Sequence, residues 1–405
     1  MLETRKFHLR PRHLRLLLDA IRPFSRLARI IFNEIQWYIF SEPDIGANVR
    51  LGSPDKGGAM RNFASSISVL LSFLGMAVPI TASSDQHRTR VEIIEARWHI
   101  NGEVTYPGAP AEGLLMNVRM VNSVFEDTGR EAQHLPEGFE PDANTGAFIA
   151  RIPEYVENGV RAFTVSLQGG RPSYSGNVNS AFNSDGALRP GYLERVRKVI
   201  EACDRHGAVV ILSCFYQNQH SHERALQGRE AVLKAVGNVA RWLLDKGFSN
   251  VILEIANEPH VSGFRNWHDS EWMQSDEGKV EMIQRAREVH PGLLVTTGGT
   301  GTGRVTQAVV EAGDFILIHF NNTALADMPA RIEALRQYGK PVVCNEDDKI
   351  GSEGAQAAAI CVAHGVAWGF MHKDKNQFIP FEYAGARDDP AVYVALKRLT
   401  TPADR

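Results

Sequence analysis

"NVILEIANEPH", residues 250–260, sets two glutamates in a run that is otherwise branched and apolar. Val251, Ile252, Leu253 and Ile255 have the character of a buried strand. Side chains alternate along a strand, so Glu254, Ala256 and Glu258 are expected to share one face. Ionisable groups on a buried face are costly unless they are paired or used. Pro259 cannot continue a central strand, which ends the element close to Glu258. Glu258 then stands at a carboxyl-terminal strand tip, where α/β enzymes place reactive groups.

The segments around this strand repeat its pattern. Strand-like stretches occur at 114–122 (LLMNVRMVN), 161–168 (RAFTVSLQ), 208–216 (AVVILSCFY) and 250–258. Four more follow at 293–299 (LLVTTGG), 315–320 (FILIHF), 341–346 (PVVCNE) and 366–372 (VAWGFMH). Amphipathic stretches such as YLERVRKVIEACDRHG and AVLKAVGNVARWLLDKG separate them, several ending on glycine. Eight βα units in roughly 300 residues predict a closed eight-stranded βα (TIM) barrel. A doubly wound open sheet is the alternative, but its first strand often feeds a glycine-rich phosphate loop, and LLMNVRMVN feeds none. Ahead of the barrel, VEIIEARWHI, Asn101-Gly102 and EVTYPG predict a β-hairpin. Residues 84–405 are read as one domain.

Composition narrows the function. At 43% hydrophobic and 22% charged, the 405-residue chain is globular in make-up, and a net charge of −3 gives no global reason to expect nucleic acid as a partner. Four cysteines make no disulfide framework, and Cys203, Cys214, Cys344 and Cys361 are read as buried thiols. Residues 60–83 have the parts of an export signal: Met60 beside Arg61, an apolar run, then Ile80-Thr81-Ala82. That run is about 12 residues, short of the roughly 20 a membrane-spanning helix needs, so no stable membrane insertion is expected. Translation is expected to begin at Met60, which makes residues 1–59 an over-extended reading of the gene. The rival is a basic amphipathic helix, from HLRPRHLRLLLDAIRPFSRLARIIF, that touches a membrane or partner. A secreted or periplasmic location follows from the signal.

Strand ends collect the candidate site: Arg119, Tyr216, Asn257, Glu258, His319, Glu346, and Trp368 or His372. Glutamates at the tips of nearly opposite strands can cleave a glycosidic bond. One protonates the leaving oxygen; the other attacks the anomeric carbon or activates water. VILEIANEPH resembles the acid/base strand of clan A glycoside hydrolases, most closely the cellulase-like family 5, over residues 114 to about 400. That resemblance implies Glu258 as acid/base and Glu346, in PVVCNEDD, as nucleophile of a retaining reaction. It further implies Asn257 on the sugar 2-hydroxyl, Arg119 holding the nucleophile, His319 on the sixth strand and a subsite tryptophan at Trp368. Tyr216 is a weaker substrate contact. An oligo- or polysaccharide is the expected partner, and the chemistry calls for no metal or organic cofactor.

Some residues depart from that pattern. Asn321 stands where the family carries a tyrosine, CFYQNQH replaces a third-strand histidine, and Asp347 and Asp348 follow Glu346 directly. Extra carboxylates disfavour a charged nucleophile. Asn321 and the Asp347-Asp348 pair favour the alternative of a non-catalytic carbohydrate-binding barrel. Glu254 is read as a structural hydrogen-bonding group. GGTGTG (298–303) has neither phosphate-loop fingerprint and is read as a flexible loop, and HSHE (220–223) as a solvated one.

Overall fold

The computed structural model describes residues 89–403. The segments read as an extension (1–59) and an export signal (60–83) lie outside the described residues.

Three short strands come first: β1 (Val91–Ile94), β2 (Arg97–Ile100) and β3 (Glu103–Val104), in one antiparallel sheet. The stretch 91–100, expected as one strand, is two, because Glu95 and Ala96 take φ of 51° and 61° and reverse the chain. The second reversal uses Asn101 and Gly102, at 56° and 81°, the backbone that Asn-Gly hairpin turns adopt.

Eight parallel strands follow: β4 (Asn117–Arg119), β5 (Ala162–Ser166), β6 (Val209–Phe215), β7 (Val251–Ala256), β8 (Val295–Thr296), β9 (Ile316–His319), β10 (Val342–Glu346) and β11 (Gly369–Phe370). Six are hydrogen-bonded in the order β11-β4-β5-β6-β7-β8, and β9 pairs with β10. Parallel bridges from Gly298 to Leu317 and from Val343 to Ala367 join the two groups at both edges, so the ring is closed. Each strand falls inside, or nearly inside, a stretch with strand character.

Helices cover the outside of the ring between successive strands. They are α1 (Pro141–Ile149), α2 (Ile152–Glu157), α3 (Pro190–Arg205), α4 (Gly228–Lys246), α5 (Ser270–Gln274), α6 (Asp276–Val289), α7 (Gln307–Ala312), α8 (Met328–Arg336), α9 (Gly351–Ala363) and α10 (Pro390–Thr400). α4 stops at Gly247, whose φ of 71° is the left-handed cap that glycine takes without steric cost. No helix among the described residues is long and apolar enough to cross a membrane. The four cysteines are buried and unpaired with one another.

Strand alternation produces two cores. Outward residues such as Val210, Leu212, Leu253 and Ile255 pack against the helices. Inward residues at the strand starts, among them Leu115, Ala162, Ile211, Ile252, Phe315 and Val343, form a smaller cluster that includes Trp98 and Val91. Trp98 packs edge-on to Phe315, with ring centroids 5.4 Å apart, so the antiparallel sheet closes the amino-terminal end of the barrel. Towards the other end the inward positions turn polar: Asn117, Arg119, Thr164, Ser166, Ser213, Glu254, His319 and Asn345 are all buried. That polar layer is the floor of the site.

Candidate active site

β7 carries Ile252 and Glu254 inward, and the ladder ends at Ala256. Asn257 adds one more bond, its N–H donating to the Phe215 carbonyl at 2.9 Å. Glu258 then takes a left-handed backbone, φ 49°, which is strained for a residue with a Cβ. Such strain concentrates at functional positions. Glu258 is partly exposed at the mouth, its side chain 13% accessible.

Glu346 reaches the mouth by a different device. In β10, Val343 pairs with Leu317 and Cys344 with Ile318, but His319 pairs with Glu346, so Asn345 is an extra residue. Val343 and Asn345 point inward, and simple alternation would send Glu346 outward into the helical layer. The bulge turns it back into the mouth, as bulges beside active sites commonly do.

His319, fully buried at the end of β9, links the two glutamates. Its Nδ1 is 3.0 Å from Glu258 Oε1 and 3.7 Å from Glu346 Oε2. Arg119 Nη2 lies 3.0 Å from Glu346 Oε2 and donates to Asn257 Oδ1 at 2.6 Å. Asn321 Nδ2 donates to Glu346 Oε1 at 2.8 Å. The nucleophile candidate is therefore held by a guanidinium, an imidazole and an amide. Asn257, with its oxygen engaged by Arg119, keeps its N–H groups for a ligand.

Burial and charge act in opposite directions on these groups. For His319, burial favours the neutral ring, but Glu346 and Glu258 outweigh it, and its pKa stands above the ordinary value. For Glu258, burial favours the protonated acid, but the hydrogen bond from His319 and the charges of His319, His260 and Arg119 win and lower its pKa. The two groups face each other across 3.0 Å, Nδ1 to Oε1. Glu254, below them, is fully buried and held above the carboxylate range by that burial, against the opposing pull of His319 and Arg119. Its Oε2 accepts a long bond of 3.5 Å from Asn345, a structural contact. Tyr216 stands half-buried at the mouth; burial, with Glu346 and Glu258 adding to it against Arg119, pushes its hydroxyl up to about 12.

One expected contact does not reach the cleft. Ala367 belongs to the inner cluster, so alternation sends Trp368 outward. It is completely buried, stacks on Phe370 at 5.7 Å and donates its indole N–H to Asp347 Oδ2 at 2.8 Å. Trp368 is thus a packing residue. Asp347 is drawn to the same outer layer, where Lys349 Nζ meets its Oδ1 at 2.8 Å. Asp348 pairs with Lys373. Neither aspartate is among the groups that contact Glu346. Trp267 packs against Phe264 and Phe215, and Trp272 bonds Glu281.

GGTGTG is hydrogen-bonded to the end of β9 and the residues that follow it. His319 N–H donates to Thr300 O at 3.2 Å, Gly303 N–H to His319 O at 3.0 Å, and Asn322 N–H to Gly301 O at 2.9 Å. Gly301 is buried so close to the site that a Cβ there would lie 2.8 Å from Asn321 Oδ1 and 3.1 Å from Glu258 Oε1. The sequence reading marked Asn321 only as a departure from the family's tyrosine; its bond to Glu346, like the closeness of Gly301 to the site, escaped it. Asn321 shares the parity of His319, and that signal could have found it. Gly301 carries no such signal.

Comparison with known proteins bears on the fold and the family. The cellulase model, glycosyl hydrolase family 5, matches residues 130–375. No curated protein sequence matches the chain. Among solved structures, one from Bacteroides vulgatus superposes with a TM-score of 0.54 at 12% identity, covering 78% of this chain and 61% of its own. A glycoside hydrolase family 5 enzyme from Prevotella bryantii gives 0.51 at 11% identity, covering 76% of this chain and all (100%) of its own. A broad-specificity endoglucanase from Clostridium longisporum gives 0.51 at 11%, covering 73% and 96%. At such identities these likenesses speak to the barrel, and the family match goes further: the chain belongs to the cellulase family of glycoside hydrolases, glycosyl hydrolase family 5.

Proposed function

We propose that this glycoside hydrolase cleaves β-linked glycans or glycosides with retention, Glu346 as nucleophile and Glu258 as acid/base. One observation carries the stereochemistry. A single nitrogen, His319 Nδ1, lies 3.0 Å from one carboxylate and 3.7 Å from the other, so those oxygens are no more than about 6.7 Å apart, the sum of the two. Retaining pairs sit about 5–5.5 Å apart, whereas inverting pairs, with a water between, span about 6.5–9.5 Å. The bound favours retention.

In the first step a Glu346 oxygen bonds to the anomeric carbon as the glycosidic C–O bond breaks. Glu346 loses its negative charge, and with it the strongest support for the proton on His319. That proton passes to Glu258 and on to the leaving oxygen. In the second step Glu258 takes a proton from water, whose oxygen displaces Glu346 from the sugar. Asn257, oriented by Arg119, donates to the 2-hydroxyl, and Tyr216 borders the bound ring. The non-catalytic alternative loses its support, since Asn321 bonds Glu346 and Asp347 is engaged elsewhere. A polymeric substrate outside the cytoplasm agrees with residues 60–83 read as an export signal.

The test is an aryl β-glycoside assay with azide. Glu346→Ala is expected to lose activity by about a thousandfold or more, and azide to restore it with the glycosyl azide of inverted configuration. Binding of an oligosaccharide by the wild type with no turnover of any β-glycoside would sink the proposal.

A further inference from the structure

Beside Glu258 lies a cavity of about 270 Å³ between the segments that follow β7 and β8, lined by Pro259, His260, Lys279, Gly299, Arg304 and Thr306 among others. None of these residues contacts Glu346, whose partners are Arg119, His319 and Asn321. The cavity is lined instead by Pro259 and His260, the two residues that follow Glu258 in the chain. Its volume is just under the range of about 300–1,000 Å³ usual for small-molecule pockets, room for one sugar unit.

Its charge is uneven. Lys279 is buried, and its Nζ lies 3.2 Å from Asp276 Oδ1, which also accepts from Thr306 Oγ1 at 2.9 Å. That pairing offsets the lysine charge but uses one of three ammonium donors. Arg304 is exposed and has no carboxylate partner among the described residues. One uncompensated positive charge suits a monoanion. A planar guanidinium matches a carboxylate in two-point geometry. His260, within electrostatic reach of both Lys279 and Glu258, is held below the ordinary histidine value by burial and supplies a neutral ring to a hydroxyl.

We propose that this cavity is a subsite for a uronic acid residue on the leaving-group side of the cleaved bond, its carboxylate on Arg304 and Lys279. The leaving-group placement rests on Glu258 being the acid/base. Preferred substrates would then be β-linked glycans that carry a uronate next to the scissile bond.

Binding and turnover test the two layers separately. Titrated into the full chain, D-glucuronate should bind about tenfold more tightly than D-glucose, an advantage of the order that charge-assisted bonding provides. Arg304→Ala should abolish that advantage, Arg304→Lys retain part of it, and added salt weaken it. Equal affinity for the two sugars, or an advantage that survives Arg304→Ala, overturns the subsite. In parallel, with an aryl β-glycoside as donor, methyl β-glucuronide should intercept the glycosyl-enzyme better than methyl β-glucoside. There the acceptor hydroxyl gives its proton to Glu258 as its oxygen displaces Glu346. Equal interception overturns the leaving-group placement. Aryl glycoside turnover without glucuronate preference removes the subsite alone, whereas preference without turnover removes the hydrolytic reading and keeps an anionic-sugar site.

Discussion

Asn321 holds the Glu346 carboxylate with one hydrogen bond of 2.8 Å, the place where a tyrosine hydroxyl would otherwise be expected. A hydrogen bond to a charged group contributes about 1.5–3 kcal/mol. Asn321→Ala should therefore lower kcat on an aryl glycoside by roughly ten- to a hundredfold. Asn321→Asp, which sets a like charge against Glu346, should cost more. Equal activity in all three would remove Asn321 from the machinery. His319 gives a prediction in pH. Its folded pKa is raised above the unfolded value of about 6.5, so the stabilisation it contributes is complete below that value. It is lost as pH rises through the folded value. The same proton serves the leaving group, so kcat/KM should fall on the alkaline side at a pH above the ordinary histidine range. In His319→Asn, where Glu258 alone must hold the proton, that limb should move to lower pH, as a pH–rate profile would record. At this scale the sequence was informative about Glu258, Glu346, Arg119, Asn257 and His319, because strand-end position and residue chemistry converge on them. It misplaced Trp368, since a single-residue difference in parity separates the cleft from the helical layer.

The same parity argument governs the elements. β10 reads in sequence as a plain strand, and nothing in PVVCNE marks the extra residue that turns Glu346 inward. A bulge is set by how the neighbours β9 and β11 close the ring, a long-range constraint. Gly369 reports that crowding: a Cβ there would stand 2.2 Å from Asn117 Oδ1 and 2.7 Å from Asn345 Cα. The loop after β8 is similar. Its glycines were legible as a loop, but not that Gly301 leans on the carboxylates. Gly301→Ala would drive a methyl against Asn321, Asn322 and Glu258, whose side chains can shift only by giving up their positions in the site. The expected result is a kcat lowered by about tenfold or more with a melting temperature changed by only a few degrees. A large loss of melting temperature with kcat intact would show the glycine to be needed for folding and not for the site.

For the whole molecule, the question is what keeps the mouth rigid when the ring is bridged by few hydrogen bonds between β8 and β9 and between β10 and β11. The antiparallel sheet at the opposite end supplies part of the answer. Trp98 is 1% exposed and belongs to the inner cluster with Leu115, Phe315, Leu317 and Val343, residues in or just before strands β4, β9 and β10. Leu317 sits in the β8–β9 bridge and Val343 in the β10–β11 bridge, so the plug packs against both closures. The hairpin signal placed a turned strand pair here, but which barrel end it covers depends on contacts across more than 200 residues of sequence, as from Trp98 to Phe315. Trp98→Ala should lower stability by about 3–5 kcal/mol through the cavity it leaves. Because β9 and β10 carry His319 and Glu346, the loss should also appear as a lower kcat below the unfolding transition. Urea unfolding gives the first quantity and aryl glycoside kinetics at 25 °C the second. A destabilised Trp98→Ala protein with wild-type kcat would mean that the two closures hold the mouth without the plug, and that the sheet serves stability alone.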